Sequence, residues 1–219
     1  MITYNDIRKN ENINTYIKKA DESLLALGYT EHSFPHVTRV AQSAGYILES
    51  LGYNEHSIEL VKIAAYLHDI GNLVNRQEHS QSGAVMAFRI LDKLGMDAAD
   101  IADIVTAIGN HDEGTGIPVN DLSAALFLAD KSDVRRSRVR NIDMSKFDIH
   151  DSVNYSVFSS SLKMNDDNTE IILDLGIDTE FSSVTDFFEI FLQRMLLCRK
   201  AAEKLGIVFR LVINSQQLM

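Results

Sequence analysis

Seven histidines stand at positions 32, 36, 56, 68, 79, 111 and 150, against a single cysteine, Cys198. The sharpest chemistry lies at His68-Asp69, which closes the helical apolar pattern of Ile58 to Leu67 and precedes Ile70-Gly71. Two adjacent polar side chains at a buried helix end need a task, because unpartnered burial costs several kcal/mol. Imidazole nitrogen and carboxylate oxygen together form the ligand set of Fe, Mn, Zn or Ni. Helix neighbours diverge by about 100°, yet at a last turn both can converge on one ion. The pair is not isolated. His36 in "HVTRVA", His79 in "HSQSGA", His111 in "IGNHDEG" and Asp130 in "LFLADK" each fall near the end or inner face of a helical segment. Metal sites in helical bundles are built in this way, with one or two ligands from each helix.

The elements that must position these residues follow from periodicity. From about residue 11 to 140 apolar residues recur at three and four. Ser33 with Pro35 opens a helix to about Leu51, and Gly52 closes it. The next follows Asn54 and is expected to run to Gly71, read as the left-handed glycine after its last turn. Others are expected over 78–94, 97–111 and 121–133, the last capped by Asn120 or Asp121. After about residue 147 the pattern changes. Residues 153–158 and 170–175 read as strands around the polar turn Asn165–Asn168. Ser182 or Ser183 opens a long amphipathic helix to about Leu205, and 207–213 read as a last strand. The fold class is mostly α: a helical bundle over 1–146 carrying a small C-terminal α+β appendage, β-β-α-β, over 147–219.

Composition bounds the function. The 219 residues, 45% hydrophobic and 24% charged, suit one globular body with a proper core. One cysteine excludes a disulfide framework and a Cys-based zinc site. No apolar run approaches the ~20 residues that span a bilayer, and no basic stretch followed by an apolar one opens the chain. No membrane association and a cytoplasmic location are therefore expected. A net charge of −10 argues against general nucleic-acid binding. The local exception is Lys131, Arg135, Arg136, Arg138 and Arg140 around Asp133, directly after Asp130. Guanidinium pairs bidentately with phosphate, so Lys131 and Arg135 are candidate substrate-phosphate contacts, with Arg138 and Arg140 assigned to the surface. His56 and His150 are read as surface residues and Cys198 as core; His32, one turn before His36, is weighed as an additional ligand.

The order His36, His68-Asp69, Asp130, in "HVTRVA", "AAYLHDIGN" and "LFLADKSD", resembles the HD-domain metal-dependent phosphohydrolases over about residues 20–140. The resemblance implies that Asp69 bridges two metals, that His36, His68 and Asp130 complete one ion's shell, and that His79 and His111 hold the other. It implies one or two divalent ions per chain, with Asp69 and His68 as the catalytic pair. Two departures stand out. Many members carry Lys three residues after the Asp, where this chain has Asn72; and the cyclic-dinucleotide subfamily has paired histidines, where this chain has Asn110-His111, and a Gly-Tyr-Pro marker that is absent. Cleavage of cyclic-di-GMP is not expected.

The expected activity is hydrolysis of a phosphate ester or anhydride of a small soluble substrate, a nucleotide being the class implied. A metal-bound water acidified from about 15.7 toward 7 supplies hydroxide at neutral pH, and Asp112 or Glu113 is placed to handle a proton. The alternative is a metal- or nucleotide-binding sensor, or a homodimerisation module, without turnover. Every position of the His/His-Asp/Asp set is filled, which favours the enzyme.

Overall fold

The computed structural model describes residues 2–114, 116–141 and 143–219. Its element order begins with α1 (Tyr4–Lys9) and α2 (Glu11–Ala26), then α3 (Phe34–Ser50) and α4 (Glu55–Leu67). A 3₁₀ turn over Ile70–Leu73 follows, then α5 (His79–Leu94), α6 (Ala98–Gly109) and α7 (Asp121–Lys131). The C-terminal part comprises α8 (Ile149–Ser156), β1 (Val157–Met164), β2 (Glu170–Ile177), α9 (Val184–Lys204), β3 (Val208–Ile213) and β4 (Gln216–Gln217). The class is mostly α with a small C-terminal sheet, as the sequence predicts.

Helix α7 is the axis of the molecule. Every residue from Leu122 to Lys131 is buried, so this helix is covered on all sides rather than along one stripe. Helices α3, α4 and α6 pack on it from the bundle and α9 from the C-terminal side. Asn120 caps it, its side chain accepting from the Ser123 amide while Ser123 reaches back to the cap. The apolar core is continuous from Val40 and Leu67 through Phe127 to Phe187, Leu211 and Ile213.

In the sheet, β1 runs antiparallel to β2, β2 parallel to β3, and β4 antiparallel to β3. The parallel pair is joined through α9, since parallel neighbours need a long crossover. Ile171, Leu173 and Leu175 on β2, with register partners Phe209, Leu211 and Ile213 on β3, form the buried face.

Three local expectations change. Of residues 153–158 only the last two are strand: α8 covers 149–156 and β1 starts at Val157. The Val153-Tyr155-Val157 alternation competes there with a cap, the Asp148 carboxylate accepting from the Asp151 amide. Helix α4 ends at Leu67, and Gly71 lies inside the 3₁₀ turn, outside the left-handed region. Its glycine is required by close approach, because a Cβ there would overlap the His79 carbonyl oxygen and the Gly83 amide. Helix α3 starts at Ser33 as expected, but the Ser33 side chain makes no cap bond; it donates instead to Glu31, as does the Ser33 amide.

Candidate metal centre

Helix termini bring the donors together. His36 lies in the first turn of α3, His68 caps α4, Asp69 precedes the 3₁₀ turn, His79 opens α5, His111 follows α6, and Asp130 ends α7. All six side chains are buried. The imidazoles form a chain in the order His32, His36, His68, His111, His79, with successive ring centroids 4.9–5.4 Å apart.

Each donor ring is aimed by its other nitrogen. Nδ1 of His68 lies 2.7 Å from the Ala65 carbonyl, that of His79 3.1 Å from the Arg76 carbonyl and that of His111 2.6 Å from the Ile108 carbonyl. A carbonyl can only accept, so these Nδ1 atoms carry hydrogen and Nε2 points into the cluster. His36 is held the same way by the Asp133 carboxylate, at 2.7 Å. Nε2 of His36 and of His68 are buried without a hydrogen-bond partner. Nε2 of His79 and His111 face each other at 3.1 Å, an arrangement of two lone pairs that calls for a cation or a proton between them.

The distances suit an ion. Asp69 Oδ2 lies 3.6 Å from His36 Nε2 and 3.2 Å from His68 Nε2, and Asp130 Oδ1 lies 3.4 and 3.7 Å from the same two atoms. Bonds of about 2.0–2.2 Å place adjacent donors about 3.0–3.5 Å apart in a tetrahedral or octahedral shell. The other oxygen of Asp69, Oδ1, faces His79 Nε2 at 3.5 Å and His111 Nε2 at 3.9 Å. It also accepts from Asn72 Nδ2 at 2.9 Å, and the same amide donates to the Asp69 carbonyl. Asn72 thus fixes the carboxylate between the two donor sets.

Electrostatics point the same way. Burial opposes charge throughout the cluster, yet the Asp69 and Asp130 carboxylates hold His68 up to about 10. Burial and Arg138 oppose protonation of His36, but Asp130, Asp133 and Asp69 raise it to about 8. Burial and the neighbouring cations His68 and Lys131 push His111 well below the usual histidine range. Despite burial, Asp69 is held well below the carboxylate range by His68 and His36, and Asp130 by Lys131 and His36. The cluster is thus divided: the carboxylates favour positive charge around His36 and His68, where a metal cation would sit, whereas burial pushes His79 and His111 below the usual histidine range.

The basic segment divides. Lys131 Nζ lies 2.7 Å from Asp130 Oδ2 and 3.4 Å from Glu113 Oε1, lining the chamber over the donors. Arg135 does not line that chamber; it binds Asp133 at 2.8 Å and Glu31 at 3.0 Å, because the chain turns away after Ser132. Arg138, expected at the surface, is buried and lines the chamber, its Nε donating to the Glu31 carbonyl and an amino group to the Asp133 carbonyl. Arg140 is half-buried and pairs with Asp21. His32 lines the chamber too, its Nδ1 donating to the Thr30 carbonyl, but it stands outside both donor groups. Glu113 lines the chamber and Asp112 does not. The sequence assigns no site role to Asp133, Arg76 or Arg194. Asp133 was legible as an acid three residues beyond Asp130; nothing local marked Arg76, ahead of α5, or Arg194, more than 60 residues after Asp130 on α9.

The chain is similar to two known proteins. An uncharacterized protein of Methanocaldococcus jannaschii is 27% identical over 197 residues, covering 78% of this chain and 75% of that protein. A crystal structure of a predicted HD superfamily hydrolase from an uncultured Thermotogales bacterium is 24% identical, covers 57% of this chain and 67% of that one, and superposes with a TM-score of 0.46. Residues 34–151, more than half of the chain and the stretch that holds every donor of the cluster, match the HD domain, and the chain belongs to that family.

Proposed function

We propose that this protein is a metal-dependent phosphohydrolase that holds two divalent ions and cleaves a phosphate ester or anhydride of a small soluble molecule, with a nucleotide as substrate class. The observation that carries this reading is the division of Asp69. One of its oxygens faces His36 and His68, the other His79 and His111. His36, His68, Asp130 and Asp69 Oδ2 would hold one ion; His79, His111 and Asp69 Oδ1 would hold the other. When bound, such ions supply positive charge for phosphoryl oxygens and lower the pKa of coordinated water toward neutrality.

The chain's own part is positioning and charge. Asn72 locks the orientation of Asp69, and Asp133 that of His36. Lys131, fixed by Asp130, places a buried ammonium beside the donors, where it can neutralise a phosphoryl oxygen. The chamber lining is almost wholly polar side chains, so a charged group enters it without burial against an apolar wall.

The test pairs metal content with turnover. Elemental mass spectrometry on protein purified without a chelating tag should find about two ions of Fe, Mn, Zn or Ni per chain, lost in Asp69→Ala. Phosphate release from a nucleotide panel should be abolished in Asp69→Ala and His68→Ala. Full activity in either variant overturns the assignment.

A further inference from the structure

The donor chamber opens into a larger cavity of about 420 Å³ whose walls come from the α2–α3 loop, α8 and α9. The chamber itself offers about 30 Å³, room for the reacting group's edge and little else. Any bulk of a substrate must therefore lie in the outer cavity. Four residues line both spaces and form the passage between them: His32, Arg76, Arg138 and Arg194.

Three guanidinium groups at one passage need anions, and the protein supplies few. Arg76 has no carboxylate within ion-pair distance among the described residues; one amino group lies 3.4 Å from Asn72 Oδ1 and from His79 Nε2, and its guanidinium lies over the Tyr29 ring. Arg138 is fixed by two backbone carbonyls and reaches Asp133 only at 3.9 Å, an acid already shared with Arg39 and Arg135. Arg194 donates to Glu113 at 2.7 Å, stacks on Phe191, and keeps its Nε buried with no hydrogen-bond partner. With Asp69 and Asp130 committed to ions, Glu113 is, among the described residues, the one remaining chamber carboxylate for Arg76, Arg138, Arg194 and Lys131.

The cations are also tiered. Lys131 touches the donor Asp130, so it meets the phosphoryl group at the ions. Arg194 stands one carboxylate further out, across Glu113, whose oxygen lies 3.4 Å from Lys131 and 2.7 Å from Arg194. The outer cavity is also lined by Asp148, Asp151 and Asn154 of α8 and its cap. Those acids suit hydroxyl or amino donors rather than more phosphate.

We propose that Arg194, with Arg76 and Arg138, binds a second phosphate adjacent to the one cleaved, so that the substrate is a diphosphate whose remaining part is uncharged and bears hydrogen-bond donors. This rests on the phosphohydrolase reading and narrows it to a phosphoanhydride. In the reaction, a bond forms from water oxygen to the terminal phosphorus and the bridging P–O bond breaks. Its electron pair stays on the inner phosphate, held by Arg194, while one water proton remains on orthophosphate and the other goes to solvent. Glu113 holds the place between Lys131 and Arg194 that the second phosphate takes, and the C-terminal helix α9 becomes part of the active site.

The test is calorimetric titration of the metal-loaded full chain with orthophosphate and with methylenediphosphonate, a diphosphate that is not hydrolysed. The diphosphonate should bind about tenfold or more tighter, the return on one additional charge-assisted contact. Arg194→Gln should remove most of that advantage while leaving orthophosphate within about twofold, and Arg194→Lys, which keeps the charge but loses the fork, should fall between. Glu113→Gln should move the diphosphonate the other way, to tighter binding. Equal affinities in the wild type, parallel losses for both probes in Arg194→Gln, or weaker diphosphonate binding in Glu113→Gln each overturn the proposal. Those outcomes with metal present and monoester turnover intact leave the phosphohydrolase reading standing; absence of metal and of any phosphate release removes both.

Discussion

Asp133→Asn tests whether the buried carboxylate behind His36 governs metal affinity. Asp133 Oδ2 lies 2.7 Å from His36 Nδ1, on the side of the ring opposite the donor nitrogen. Adding the ring and one coordination bond puts the carboxylate about 7 Å from an ion on Nε2. A unit charge acting on a divalent ion at that separation is worth about 1.2–2.4 kcal/mol at effective dielectrics of about 80 down to 40. The higher dielectrics apply because Arg135 at 2.8 Å and Arg39 at 3.3 Å partly neutralise Asp133. That range corresponds to about 7- to 55-fold in affinity, within the about 10- to 100-fold found when the partner of a metal-bound histidine is altered. Asn preserves volume and can still accept from His36 Nδ1, so the fold should survive. The assay is competition against a chromogenic chelator on metal-stripped protein, with circular dichroism as the folding control. Affinity changed by less than about twofold, with the spectrum intact, would refute the claim that Asp133 acts on the ion through His36.

Metal removal should destabilise the whole chain. At metal concentrations 100-fold above Kd the bound state gains about 2.7 kcal/mol, so a chelator should lower Tm by about 5–10 °C in scanning fluorimetry, and Asp69→Ala should not respond. Gly71→Ala should cost about 3 kcal/mol or more in urea unfolding, because the new Cβ meets backbone of α5; Gly83→Ala, whose Cβ would approach the His68 carbonyl oxygen only to 3.1 Å, should cost less. Cys198 is buried, and that burial pushes its thiol up to about 12. A chromogenic disulfide reagent at pH 8 should therefore leave the native protein unlabelled and react with one thiol per chain after denaturation.

The bundle was legible in the sequence because its signals are local. Cap residues such as Asn54 and Asn120 stand next to long apolar periodicities, and the glycines at 52, 95 and 206 adopt the left-handed conformation that closes a helix. The histidines and aspartates of the cluster were legible as types in a fixed order along successive helices. What was not legible depends on chain separated in sequence. Gly71 reads as a helix stop until α5 is seen lying against it. Arg138 reads as a solvated cation until the carbonyls of Glu31 and Asp133 are found fixing it in the chamber wall. Strand β1 carries Ser159-Ser160-Ser161, with no apolar alternation to announce it; two of its backbone groups bond to Arg39 and Tyr46 of α3, so tertiary contacts supply what the pattern lacks.

The short run Asp130-Lys131-Ser132-Asp133 explains why the site and the core cannot be separated. Asp130 faces the donors, Lys131 neutralises its far oxygen, Ser132 caps α7, and Asp133 turns back to orient His36. All four are buried, where an unpaired ion costs several kcal/mol. Each charge is therefore tolerable only while its partners stay in place. The partners come from α3, the α6–α7 loop and the segment around Arg138, so a shift in any one of them leaves a buried charge exposed to its full desolvation penalty. An ion bound among His36, His68, Asp69 and Asp130 would offset the negative potential of the carboxylates, the same potential that raises His36 and His68 above the usual histidine range. The apolar helix ending in these charges then gains rigidity from its ligand as well as from its packing, which is why metal loss is expected to register in global stability and not only in turnover.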